Sequence, residues 1–138
     1  REQALYTMDS RNQMLCGYYA FGEFEFARAN LLLISKGVRK DGLLSLWYPA
    51  GLDFPIPAFS LMYFVQMWEY IKYSGDDSLA RELYPMLTEL MNVFINAGFS
   101  LKEIVIKEQH NCIGTQKWQS KANDFLLIAH EYLFILKK

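Results

Sequence analysis

The feature that most constrains this chain is a set of apolar residues recurring at steps of three and four, halted at intervals by glycine and proline. Phe24, Ala27, Leu31 and Ile34 share one face of a helix, while Glu23, Arg28, Asn30 and Lys36 lie largely off it. Gly37 stands where a C-terminal cap belongs. Pro57 suits a first helical position, and Leu61, Phe64, Val65, Trp68 and Ile71 carry a helix from there to about Tyr73. That helix is apolar on more than one face, so burial on two sides is expected. Ser74-Gly75 ends it, and Asp76 or Asp77 caps the next, where Leu79, Leu83, Met86, Leu90 and Phe94 recur. Pro85 should kink or split this run, and Gly98 should close it. Near the start, Asp9 and Ser10 are N-cap types ahead of Met14, Leu15, Tyr18 and Tyr19, with a break near Gly22.

Between these helices the chain changes character. Residues 38 to 55 read as a long connection: Lys40-Asp41-Gly42 is a turn signal, Leu43 to Tyr48 fits a short strand or an extended loop, and Pro49, Gly51, Pro55 and Pro57 forbid a helix. A loop this long, rich in Trp, Tyr and Pro, is more often functional than idle. Leu101 to Lys107 alternates partly and fits a strand or a loop. Gln109 to Ser120 has no usable period. Asn123 to Leu136 is helix-like, with Phe125, Ile128, Ala129, Tyr132 and Ile135 on one side. The expected fold class is all-α, built of stacked helical hairpins; a bundle, a solenoid and an (α/α) barrel all fit the pattern.

Composition excludes several functions. With 138 residues and a net charge of −1, the chain suits one domain and carries no basic stripe, so no nucleic-acid partner is expected. No apolar run approaches the roughly 20 residues that span a bilayer, so no membrane partner is expected either. Cys16 and Cys112 lack metal-ligand spacing, and neither His110 nor His130 clusters with them, so no metal or cofactor is expected. Cys16 reads as a buried free thiol. The first residue is Arg1, set directly against a motif, which reads as a segment of something longer.

That motif carries a resemblance. Arg1-Glu2-Gln3-Ala4-Leu5-Tyr6-Thr7-Met8-Asp9 resembles the R-D-E-R-x-G-W-x-G-D motif of bacterial α-L-rhamnosidases, with Arg1 on the Arg, Glu2 on the first acid and Asp9 on the last if one position is deleted. Asn12-Gln13 resembles the polar pair opening the next helix. Asp41-Gly42-Leu43, the loop from Pro49-Ala50-Gly51 to Pro57, and Glu69-Tyr70 through Glu82-Leu83-Tyr84-Pro85-Met86 follow in the family's order. Residues 1–97 match best and 98–138 form a poorly matching tail. The resemblance implies a fragment of a single all-helical catalytic domain, part of an (α/α)6 barrel, acting on a carbohydrate by inversion. Its partner would be the remainder of that barrel.

Inverting hydrolysis needs an acid and a base roughly 6.5–9.5 Å apart. The resemblance puts the general acid of the family at Gln3, an amide that cannot cycle a proton, which leaves Glu2 as the catalytic candidate. The second carboxylate is expected on a later helix. Asp9 is a candidate ligand of sugar hydroxyls or a plain N-cap, and Arg1 a candidate for orienting a carboxylate or hydroxyl. Arg11, one turn into the helix, would bind substrate or pair with Asp9 or Glu2. Trp47 suits stacking on a sugar or anchoring its loop, and Asp53 suits a hydroxyl ligand or a turn. Two other functions compete: a non-catalytic sugar-binding relative, suggested by Gln3, and a helical-repeat interaction module, suggested by the hairpins alone.

Overall fold

The structure, a computed structural model, describes residues 4–50, 53–98, 100–108 and 130–137. The chain divides into two compact units, Arg1–Val93 and Phe94–Lys138. Among the described residues five helices follow in order: α1 (Asp9–Phe21), α2 (Glu25–Ser35), α3 (Pro57–Ser74), α4 (Ser78–Glu82) and α5 (Tyr84–Asn96). The all-α architecture expected from the periodicity is what residues 4–96 adopt.

The punctuation acts where the sequence places it. Gly22 ends α1 at φ 60° and Gly75 ends α3 at φ 74°, left-handed conformations that cost glycine nothing. Pro57 is the first residue of α3, and the chain splits between α4 and α5 just ahead of Pro85. Ala27, Leu31 and Ile34 form the buried face of α2. Helix α3 is buried over most of its circumference, through Met62, Tyr63, Val65, Met67 and Tyr70. Each large apolar side chain so buried contributes about 1.5–3 kcal/mol. The Tyr63 hydroxyl donates to the Leu31 carbonyl at 2.8 Å, tying α3 to α2.

The long connection between α2 and α3 is an extended loop with two isolated bridges, Val38–Leu44 and Tyr6–Trp47. Its tight turn closes through Gly42 N–H to the Arg39 carbonyl at 3.0 Å and Arg39 N–H to the Leu43 carbonyl at 2.9 Å. Gly42 holds φ 83°, and a Cβ there would lie 2.5 Å from Cγ2 of Val93 on α5, so the position admits only glycine without displacement. Further on, the Leu44 N–H donates to the Ser60 hydroxyl at 3.0 Å, seating the loop on the first turn of α3.

Several expectations need correction. Asp9 is the first helical residue of α1, not its cap; Met8 holds the cap position and, having no side-chain oxygen, makes no cap bond, while the Ser10 N–H bonds the Tyr6 carbonyl. Gly37 is not a left-handed cap; Lys36 ends α2 in right-handed conformation, and a Cβ on Gly37 would sit 3.0 Å from Tyr48 Cβ. Close approach, not turn geometry, requires that glycine. Asn30 is buried beside Leu31. Cys16 is exposed, since it shares the solvent face of α1 with Asn12, Gln13 and Tyr19. Trp68 is half exposed, with the Lys72 ammonium 4.9 Å from its ring centre.

Among its described residues the second unit contains two strands, β1 (Ser100–Glu108) and β2 (His130–Lys137), paired antiparallel from Ser100–Lys137 to Glu108–His130, with an irregularity between Leu101 and Glu103. The helix expected over 123–136 is therefore a strand from His130; residues 123–129 lie outside the described residues. A short run such as His130–Lys137 fits either period, and its aromatic and β-branched content together with a pairing partner decides for the strand.

Candidate functional site at the head of α1

The segment entering α1 and the long loop form one joined structure. Thr7 donates twice to the loop, from its N–H to the Leu46 carbonyl at 2.9 Å and from its hydroxyl to the Ser45 carbonyl at 3.0 Å. One residue earlier, Tyr6 bridges Trp47, and their rings meet edge to face with centres 5.1 Å apart. The Leu46 N–H closes the base of the next stretch on the Phe54 carbonyl at 2.7 Å. Arg39 grips Asp41 at 3.0 Å and also ion-pairs with Asp53. That guanidinium holds the Asp41 carboxyl below the usual carboxylate range.

Beneath this surface lies a buried polar seam between α1 and α3. The Gln66 side-chain amide donates to the Thr7 carbonyl at 2.6 Å, and its oxygen lies 3.0 Å from the Ser10 hydroxyl, which also reaches the Thr7 carbonyl at 2.9 Å. One turn along, Arg11 forks onto Glu69, Nε to Oε2 at 2.9 Å and Nη2 to Oε1 at 2.6 Å. Both partners are buried, with side chains 8% and 5% exposed. A bidentate, charge-assisted pair of this kind fixes orientation as well as distance.

The residues expected to form a site separate accordingly. Asp9 is exposed in the first turn of α1, where the positive end of the helix favours an anion. Trp47 is half-buried at the same end, brought near through Tyr6. Asp53 is exposed and engaged by Arg39. Arg11 does not take Asp9 as its partner. It lies on the buried stripe with Met14, Leu15 and Tyr18, whereas Asp9, two residues earlier, is rotated about 200° round the helix. Arg1 and Glu2, with Gln3, lie outside the described residues.

Sequence reasoning missed Gln66 and Glu69, as well as the part played by Thr7 and Ser10. The signal was available. Gln66 and Glu69 follow Tyr63 at steps of three, so both fall on a buried stripe of α3, as Arg11 does three residues before Met14. Polar residues at such positions require partners. Among the described residues, no three His, Cys, Asp or Glu side chains gather as a metal ion would need, and no helix is long and apolar enough to cross a membrane.

An exposed carboxylate opens α1, and the segment leading into it is bridged to a half-buried indole above a buried polar seam, an arrangement that suits a ligand with hydroxyl groups and an apolar face. The chain is similar to part of the crystal structure of a GH78 family rhamnosidase of Bacillus sp. GL1, at 25% identity and a TM-score of 0.64 over 69% of this chain. It spans 10% of that rhamnosidase's length. The likeness supports reading the helical unit as a piece of a helical barrel. No protein-family model and no curated protein matches the sequence.

Proposed function

We propose that this chain contributes one side of a rhamnosidase-type site, in a protein that hydrolyses terminal rhamnose-like sugars with inversion. The observation that carries this reading is the Tyr6–Trp47 bridge, which ties the loop bearing Trp47 to the segment leading into Asp9 at the head of α1, within a helical array similar to part of a GH78 family rhamnosidase. Trp47 stacks on the C–H face of the sugar, and Asp9 accepts hydrogen bonds from its hydroxyls. Asp53 is a further hydroxyl ligand when Arg39 releases it. Arg1 orients the reacting groups, and Glu2 is the general acid, because Gln3 cannot give up and regain a proton. Arg11 acts on the site through α1, from its place beside Glu69. The second carboxylate and the rest of the pocket come from helices other than those of this chain.

Saturation-transfer NMR with L-rhamnose tests the binding half of this reading. Transfer to the sugar is expected from the wild type and should fall sharply in Asp9→Asn and Trp47→Ala; no transfer from the wild type removes the reading. The 138-residue chain alone should not cleave an aryl α-L-rhamnoside, since one half of an acid–base pair is present. Substantial turnover by it would overturn the proposal that the site is shared. In a parent carrying the whole barrel, Glu2→Gln should cost about 10²–10⁴ in turnover and Gln3→Ala far less. A second reading, a sugar-binding relative without catalysis, draws support from Gln3 at the acid position; normal turnover by Glu2→Gln would leave the general acid unassigned.

A further inference from the structure

We infer that Gln66, in the middle of α3, is a positioning residue that sets Asp9 and Trp47 at their working separation. The inference rests on the proposed site. Gln66 is fully buried, and both ends of its amide are spent on the Thr7–Ser10 turn: Nε2 donates to the Thr7 backbone carbonyl at 2.6 Å and Oε1 accepts from the Ser10 side-chain hydroxyl at 3.0 Å. That turn contains Met8 and Asp9. The same Thr7 holds the loop on its other side, through the Leu46 and Ser45 carbonyls at 2.9 and 3.0 Å. Thr7 is thus the shared hinge-pin of the two ligand-bearing segments, and Gln66 is what holds Thr7 from below.

The arrangement is directional in a way that apolar packing is not. An amide offers a donor and an acceptor a fixed distance apart, so it accepts one placement of a carbonyl and a hydroxyl and resists a shifted one. A methionine of similar length fills the same volume without that constraint. Gln66→Met therefore leaves α3 packed while freeing the Thr7–Ser10 turn to shift. Displacements near 1 Å in a positioned group are enough to change ligand recognition severely.

The test uses the whole chain with Trp68→Phe and Trp118→Phe, so that Trp47 alone reports. Gln66→Met should keep the far-ultraviolet helical signal, shift the Trp47 emission maximum, and weaken L-rhamnose quenching of that emission on the order of tenfold. Leu79→Ala, a fully buried change on α4, serves as the matched destabilised control and should move neither Trp47 readout. The inference is overturned if Gln66→Met leaves Trp47 emission unchanged, or if Leu79→Ala shifts it equally. Failure of the wild type to bind L-rhamnose would sink the proposed function instead, while the emission shift would still decide whether Gln66 positions Trp47.

Discussion

The two ends of the α1–α3 pair are built on opposite principles. At the head, Thr7, Ser10, Gln66, Arg11 and Glu69 are buried polar groups joined by directional bonds. At the tail, aromatic contacts dominate, joined by a hydrogen bond between the Tyr19 and Tyr73 hydroxyls. Tyr18 stacks on Tyr73 with ring centres 5.1 Å apart and tilts against Phe24 at 5.5 Å, and Tyr19 meets Tyr73 edge to face at 5.4 Å. The Tyr18 hydroxyl is buried with no hydrogen-bond partner, and burial pushes its pKa well above the ordinary phenol value. A head satisfied bond by bond has one low-energy geometry. A tail of stacked rings tolerates several. Precision is concentrated where ligand groups are proposed to sit, and adhesion is concentrated away from it.

The largest expected effect breaks the head. Glu69→Ala leaves the Arg11 guanidinium buried without its forked acceptor, and should cost about 3–5 kcal/mol in urea unfolding. Replacing both members by apolar residues, Arg11→Met with Glu69→Leu, should recover most of that loss, since the pair's own desolvation is relieved as well. If Glu69→Ala alone costs under about 1 kcal/mol, the seam is not the rigid floor described.

A gentler pair of hydroxyl deletions sharpens the contrast. Tyr63→Phe removes the donor to the Leu31 carbonyl and should destabilise by about 1–2 kcal/mol. Tyr18→Phe removes a buried hydroxyl that bonds nothing, so it should be neutral or slightly stabilising. Equal losses from the two deletions would erase the distinction between a satisfied and an unsatisfied buried hydroxyl.

Smallest of all is an effect of acid at the tail. Hydrogen bonds from the Ser78 hydroxyl and amide, and from the Tyr70 hydroxyl, lower the Asp76 pKa from 3.8 to about 2. A depressed carboxylate contributes stability that is present above its unfolded pKa and lost as pH falls through the folded one. The Asp76 contribution should therefore fade between pH 3.8 and about 2. Urea midpoints across that window should fall less steeply in Asp76→Asn than in the wild type. The group is exposed, so the difference should be slight.

How far the sequence was legible follows the same division. Periodicity and punctuation located α2, α3 and the α4–α5 split, because a helix repeats one local rule and glycine or proline ends it. The loop from 38 to 55 was legible as a loop, and its Tyr6–Trp47 bridge was not, since a bridge depends on pairing between distant segments. Arg11 was legible as important, with Asp9 or Glu2 offered as its partner. Glu2 lies outside the described residues, Arg11 does not pair with Asp9, and its forked partner Glu69 lies on α3, where only the packing of two stripes brings the two together. In the second unit, the helical period read from Phe125 to Ile135 lost to strand pairing over His130–Lys137. The misreadings share a cause: a residue's neighbours in space outweighed its neighbours in sequence.

Gly42 has a consequence for the order of assembly. Its turn is local and can close early, yet the bare Cα is pressed toward Val93, far along the chain on α5. Contacts between distant segments are gained only after the intervening chain has been gathered in, and they tend to complete late in folding. The loop that carries Trp47 would then reach its final form when α5 docks, after α1, α2 and α3 have met. Nascent chain lacking α5 would hold a helical core with an unfinished loop, and the setting of Trp47 would be among the last features the folding protein acquires.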